Sequence, residues 1–245
     1  MPELILSDIT VMGEGYCVIG LEKVMEDSYR SLRPLPPRAF AWRDPFPFRR
    51  SDCVRYDAVP TTVTLPHVED QQSRGLVHTR RSVSEQELTG CLRKAEVSGS
   101  LFDLFGCAPH ASDRGGRALW VDPEQARRSI CGCEYENIRF RVFRESSGFA
   151  LRAEVVLKSG DRMSSLPIVD REWNRFVAHL VKLIQRSDPL PLAERFMNRT
   201  VYAKLLLSPA RFARIGLPRP RADRQCWLML DSLFPQPQAA WLELL

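Results

Sequence analysis

The chain has 245 residues and a mass of 28.1 kDa, of which 44% are hydrophobic and 27% charged. These proportions exclude wholesale disorder and allow two modest domains or one large one. The net charge of +5, from 35 basic and 30 acidic residues, is too mild by itself to define a nucleic-acid binder.

Residues 4–12 read as a β-branched, apolar strand, and Gly13-Glu14-Gly15 as the turn of a hairpin that returns over 16–21. A third short strand is predicted at 28–32. Residues 34–50 then carry five prolines among Phe40, Trp42, Phe46 and Phe48, a density that forbids helix and central strand and predicts an extended, aromatic-bearing loop. Extended segments follow at 53–59 and 61–65, and HVEDQQ (67–72) reads as a polar connection. The first helix is predicted over 82–97, with Ser84 and Glu87 as a capping box and Leu88, Cys91, Leu92 and Ala95 on one face. A short apolar turn or helix at 101–105 and a glycine-bearing loop at 109–117 complete the first half.

A second β-rich block has a short strand at 118–121 and one helical turn at 123–128. The alternation over 138–144 and 149–157, with a return at 163–168, predicts a three-stranded meander. Residues 170–185 form an amphipathic helix capped by Asp170, with Trp173, Phe176, Val177, Leu180, Val181 and Ile184 as its buried stripe. Two final strands, 201–207 and 226–230, bracket a basic loop. Small closed or partly closed barrels are the economical way to hide the edges of so many short strands. The fold class is therefore mainly β with accessory helices, as two small barrels in tandem, residues 1–98 and 99–245. Trp173 and Trp227 are assigned to the core, and no internal repeat is detectable.

Of the 35 basic residues only Lys23, Lys94, Lys158, Lys182 and Lys204 are lysines. Arginine forks onto phosphate and stacks on bases as lysine cannot, although a GC-rich genome would produce the same bias. Two arginine clusters stand out. Arg38, Arg43, Arg49 and Arg50 flank the stacking candidates Trp42, Phe46 and Phe48, and the 211–224 loop carries Arg211, Arg214, Arg219, Arg221 and Arg224 against Asp223 alone. Both are candidates for holding a single strand by base stacking and phosphate pairing. Arg139, Arg141 and Arg144 form a further candidate phosphate ladder, a solvated face being the commoner meaning of such a pattern.

Other chemistry is poorly supported. Cys131 and Cys133 with Cys107 and His110 do not meet the ligand spacing of closed zinc sites, and neither a nucleophile elbow nor a phosphate-binding glycine loop is present. His67, Glu69 and Asp70 are the densest polar group, with turn or helix capping as the simpler explanation. No cofactor or metal is expected. The seven irregularly spaced cysteines and the absence of a secretory pattern predict free thiols in a reducing cytoplasm, and no run of about 18 apolar residues predicts a membrane span.

Five segments resemble the bacterial dual OB-containing domain family found in defence-linked genomic neighbourhoods: LILSDITVMGEGYCVIGLE at the start, RSLRP (30–34), PHVED (66–70), SLPIVDREWNRF (165–176) and CWLMLDSLFPQP (226–237). The resemblance covers nearly the whole chain through short, mostly structural motifs, and departs from the family's pattern in the 34–50 and 211–224 loops. It implies two OB-like barrels, a nucleic-acid or nucleotide ligand, and no catalytic residues to carry over. The resulting expectation is a non-enzymatic module that binds single-stranded nucleic acid within a larger defence or processing complex. The alternatives are an adaptor docking a partner protein through the Pro/Phe loop and the tail 238–245, and a nucleotide-binding or nucleotide-modifying protein using His67, Glu69 and Asp70.

Overall fold

In the computed structural model, which describes residues 1–95, 99–112, 118–145, 148–184, 188–208, 211–219 and 225–237, the predicted opening hairpin is present as β1 (Glu3–Met12) and β2 (Gly15–Met25). Met12 pairs with Gly15 across a two-residue turn, and Gly13 adopts φ +58°, the left-handed region in which a side chain is strained. Next come β3 (Ser28–Leu35), the short β4 (Trp42–Arg43) inside the proline-rich stretch, β5 (Asp52–Ala58) and β6 (Asp70–Ser82). β1 pairs antiparallel with β2 and β5, β2 with β3, and β5 with β6, while β3 and β6 run parallel. The ring β1-β2-β3-β6-β5 is a closed five-stranded barrel, compatible with an OB-like one. Leu4, Leu6, Val18, Leu32, Val54 and Tyr56 cluster in its core.

β6 replaces the polar connection predicted at 67–72. Only Asp70 and Ser73 of its 13 residues are buried, so its strand character comes from backbone pairing with two neighbours rather than from an apolar pattern. α1 (Glu85–Ala95) starts later than predicted because Ser82 still belongs to β6, and Ser84 Oγ accepts the Glu87 N–H at 3.1 Å. Residues 96–98, at the expected domain boundary, lie outside the described residues.

α2 (Leu101–Phe105), β7 (His110–Ala111) and β8 (Leu119–Val121) lead into the predicted meander. This consists of β9 (Ile130–Glu145), β10 (Gly148–Leu157) and β11 (Arg162–Pro167), with β9 beginning at Ile130 rather than at 138. α3 (Arg171–Leu183) is capped by Asp170, which accepts the N–H groups of Glu172 and Trp173. Its Trp173 is fully buried, stacks on Phe140 with centroids 5.6 Å apart, and donates its ring N–H to the Leu233 carbonyl. α4 (Leu190–Phe196), a π-helical turn (Met197–Val201), α5 (Tyr202–Leu207), β12 (Phe212–Gly216), β13 (Cys226–Trp227) and β14 (Met229–Phe234) follow. The second sheet has the order β11-β10-β9-β12-β14, antiparallel throughout, and an isolated parallel bridge joins Ile168 to Leu230. β7, β8 and β13 make a small separate sheet in which the half-buried Trp227 pairs with Trp120.

The strand predicted at 201–207 is helical. Leucine, alanine and lysine favour a helix there, and only Val201 and Leu205, one turn apart, are buried, whereas Leu207 is 85% exposed. The partner of β14 is instead β12, drawn from the stretch assigned to the basic loop, with all five residues buried.

The free edge of β9 beyond its pairing with β12 is covered by α4 and the π turn. Asn198 accepts the Phe140 N–H at 2.8 Å and donates to the Phe140 carbonyl at 2.7 Å, while Glu194 accepts the Val142 N–H. One side-chain amide thus takes the place of a neighbouring strand. The two halves meet through α1, whose Leu88, Cys91 and Leu92 pack with Ile5, Leu21 and Cys53 on one side and Phe212 and Phe234 on the other.

Candidate polyanion-binding face

The two arginine clusters singled out in the sequence do not converge on an open surface. Arg214 lies on β12, 1% exposed along its side chain, with Nε 3.4 Å from Asp8 Oδ2 and Nη2 donating to Ser31 Oγ. Arg50 is 6% exposed, donates Nη2 to Asp170 Oδ2 at 2.6 Å and to Ser232 Oγ at 3.0 Å, and lies over the Phe234 ring. Arg219 pairs with Asp70 and covers Phe40 at 4.0 Å. Arg50 and Arg214 tie the barrel to the second half through carboxylates that are completely buried, and Arg219, 29% exposed, shares Asp70 with Arg33. Desolvation costs several kcal/mol per buried ion, so an arginine already paired in the interior is not available to a phosphate outside.

The remaining predicted residues divide by exposure. Arg38, Arg43 and Arg49 are exposed, and Arg211 is half-buried immediately before β12. Trp42 donates its ring N–H to the Pro34 carbonyl, and Phe46 packs between Tyr16 (5.6 Å) and Phe48 (5.2 Å), so the three rings are half-buried against the barrel. Arg221 and Arg224 and the tail 238–245 lie outside the described residues.

His67, Glu69 and Asp70 are likewise consumed by the joint. Asp70 pairs with Arg33 as well as Arg219, Glu69 accepts the Ser129 N–H and hydroxyl, and His67 Nδ1 is 3.1 Å from Arg33 Nη1. Burial, then the nearby Arg33 and Arg219 charges, push the His67 imidazolium down to about 3, leaving the ring neutral. Asp231 is buried beside Asp8. Burial first, and then that neighbouring carboxylate, raise it to about 7 despite Arg33 and Arg214. A Cβ on Gly216 would fall 2.1 Å from Asp231 Oδ2, so only glycine lets this carboxyl lie on β12. Cys131 and Cys133 are buried on β9, and among the described residues no three His, Cys, Asp or Glu gather as a metal site.

The open cationic surface is elsewhere, on the solvent face of β9, β10 and β11. Inward-facing Ile138, Phe140 and Val142 fill the core, so the period-2 alternation turns Arg139, Arg141 and Phe143 outward. Arg152 on β10 sits opposite Arg141, its guanidinium 5.8 Å from the Phe143 ring centre, and Glu154 sits opposite Arg139. Arg162 on β11, 61% exposed, completes the set. Together they line a cleft of about 390 Å³ with Ser164 and Ser165. Glu154 is the one carboxylate among the described residues lining it, 3.5 Å from Arg162. Arg139 and Arg141 have no carboxylate within ion-pair distance among the described residues. Alternation made Arg139 and Arg141 legible in the sequence, but Arg144, grouped with them, has the opposite parity. Arg152, Arg162 and Phe143 were missed because their meeting depends on strand register.

Three further clefts are linked to this one by shared lining residues, two directly and one through another. Arg139 also lines a recess of about 360 Å³ with Arg195, Arg199 and Tyr202. Arg152 also lines a cleft of about 960 Å³ between the β1–β2 hairpin and α3, whose walls carry Arg171, Arg175 and Lys182 along with Tyr16, Glu14 and Asp44. Arg171 and Arg175 in turn border a cleft of about 690 Å³ bounded by Phe46, Phe48, Arg49 and Arg50. No helix among the described residues is long and apolar enough to cross a membrane.

No family model, curated protein or solved structure matches this chain.

Proposed function

We propose that the protein is a non-enzymatic nucleic-acid-binding module whose contact surface is the face of β9, β10 and β11. The observation that carries this reading is the cleft lined by Arg139, Arg141, Arg152 and Arg162 together with Phe143, itself 38% exposed, with Glu154 as the single carboxylate among the described residues lining it. Side chains two apart on a strand repeat about every 6.8 Å, comparable to the separation of successive phosphates in an extended strand. A half-exposed ring beside a guanidinium is a stacking platform for a base, which a plain polyanion does not require.

The connectivity of the second sheet supports the same reading. Its strands pair in the order that closes an OB-like barrel, with the parallel Ile168–Leu230 bridge as the closing contact and α3 between the third and fourth strands. In this reading the chain is two OB-like barrels in tandem, and the arginine-lined face lies on the strands that such barrels use for oligonucleotides. The resemblance noted above supplies a setting, a subunit of a bacterial defence or nucleic-acid-processing assembly.

Fluorescence anisotropy with labelled oligothymidylate or oligouridylate of about five nucleotides tests this. Four phosphate contacts predict log K falling against log salt with a slope of about −3, at roughly 0.7 per contact for single strands. Phe143→Ala should weaken binding about 5- to 150-fold, the range for loss of one stacked base. Absence of salt-sensitive affinity for either strand refutes the proposal, as does inorganic polyphosphate binding equally well with no effect of Phe143→Ala.

A further inference from the structure

The four clefts are linked by side chains that line two of them at once: Arg139 between the α4–α5 recess and the sheet face, Arg152 between the sheet face and the hairpin–α3 cleft, and Arg171 with Arg175 between that cleft and the Phe46–Phe48 cleft. We propose that a single nucleic-acid strand follows this line from the second sheet across the joint to the first barrel, so that both halves of the chain form one extended binding track. The inference rests on the sheet-face reading above and adds to it the course, length and strandedness of the ligand.

Three features of the track support this. First, every cleft on it offers exposed cations. Arg195 and Arg199 stand at one end, Arg175 (62% exposed) and Lys182 in the middle, and Arg49 at the other end. Arg175 is only loosely held, 3.5 Å from Glu172, and Lys182 has no carboxylate within ion-pair distance among the described residues. An exposed guanidinium or ammonium exchanges such a contact for a phosphate at little cost, unlike the interior pairs of Arg50 and Arg214.

Second, aromatic rings recur beside the cations: Tyr202 in the recess, Phe143 on the sheet, Tyr16 in the hairpin cleft, and Phe46 with Phe48 at the far end. Alternating charge and ring is the arrangement that tracks a backbone while accepting any base. Arg171 plays a different part. It is 4% exposed, donates Nη2 to the Phe48 carbonyl and lies 5.5 Å from the Tyr16 ring centre, so it holds the wall between two clefts rather than a phosphate.

Third, the track passes from a β-face to a helix-lined cleft and on to a proline-rich loop, surfaces of different shape. A duplex, with a persistence length of about 150 base pairs, follows a curved surface only at a deformation cost that a flexible single strand largely escapes. The recesses of about 360 and 390 Å³ lie at the small end of ligand-sized pockets.

Anisotropy titrations of the full chain with labelled oligothymidylates of about five and about 15 nucleotides distinguish the two proposals, both lengths lying within the span of OB-type site sizes. With about eight contacts along the track the longer oligomer should show a salt slope of about −5 to −6, against about −3 for the shorter. The paired substitution Arg175→Gln and Lys182→Gln should reduce the slope for the longer oligomer by about 1.4 and lower the ratio of long to short affinity about tenfold or more at low salt, with circular dichroism confirming the fold. Equal slopes for both lengths, or an unchanged ratio in the variant, overturn the extended track and leave the sheet-face site standing if the short oligomer binds and Arg141→Gln weakens it. Tighter binding of a duplex of the same length also overturns it. If neither oligomer binds, both proposals fall.

Discussion

Replacing Arg214 with methionine is the sharpest test of how this chain uses its arginines. The side chain is 1% exposed and lies 3.4 Å from Asp8, which is completely buried, accepts from the Ser7 hydroxyl and neighbours Asp231. Methionine keeps the length of the side chain and removes its charge, leaving Asp8 without its ion-pair partner beside a second buried carboxyl. Breaking a buried pair from one side costs about 3–5 kcal/mol. With a urea m-value of about 3 kcal/mol/M, at the upper end for small proteins, the unfolding midpoint should fall by about 1 to 1.7 M, read by circular dichroism. Adding Asp8→Asn should return part of the loss, giving a coupling of about 2–3 kcal/mol in the double-mutant cycle. Oligonucleotide affinity per folded molecule should be retained, since this guanidinium never reaches solvent. A midpoint shift below about 0.3 M together with a loss of affinity would refute the assignment of Arg214 to the interior.

Two further outcomes follow from the joint and the sheet edge. Asp231 has an ordinary value of 3.8 and is held at about 7 in the fold, so the unfolded chain releases this proton first as pH rises. This group therefore lowers stability progressively between pH 4 and 7, by about 4 kcal/mol in all at 1.36 kcal/mol per unit, and Asp231→Asn should flatten that part of a midpoint-against-pH curve; an unchanged slope would count against it. Asn198→Ala removes the amide that satisfies both backbone groups of Phe140. It should cost about 2–3 kcal/mol and strip exchange protection from the Phe140 amide, which hydrogen-exchange NMR would detect.

Much of the local structure was legible because it depends on neighbours in sequence. The Gly13 turn, the Ser84 and Asp170 caps, the stripe from Trp173 to Val181 and the meander through β11 each follow from a short-range rule, and each is present. Segments whose character depends on distant partners were not legible. β6 is a strand because β3 and β5 flank it, although its side chains look like those of a loop. The arginines at 211–224 read as one basic loop, yet Phe212–Gly216 is a buried strand, because β9 and β14 accept it on either side and Asp8 meets its one charge.

By itself the sequence determined that the protein would be rich in short strands, which residues would cap two of its helices, and that arginine would be its dominant cation. Which arginines face water was decided only by the tertiary structure. A guanidinium is a surface group or an interior strut according to whether a carboxylate from another part of the chain is folded against it, and such pairings join residues as distant as Asp8 and Arg214 or Arg50 and Asp170. Alternation along one strand can indicate that Arg139 and Arg141 share a side, but only the register of β9, β10 and β11 brings Arg152 and Arg162 into the same cleft as Phe143.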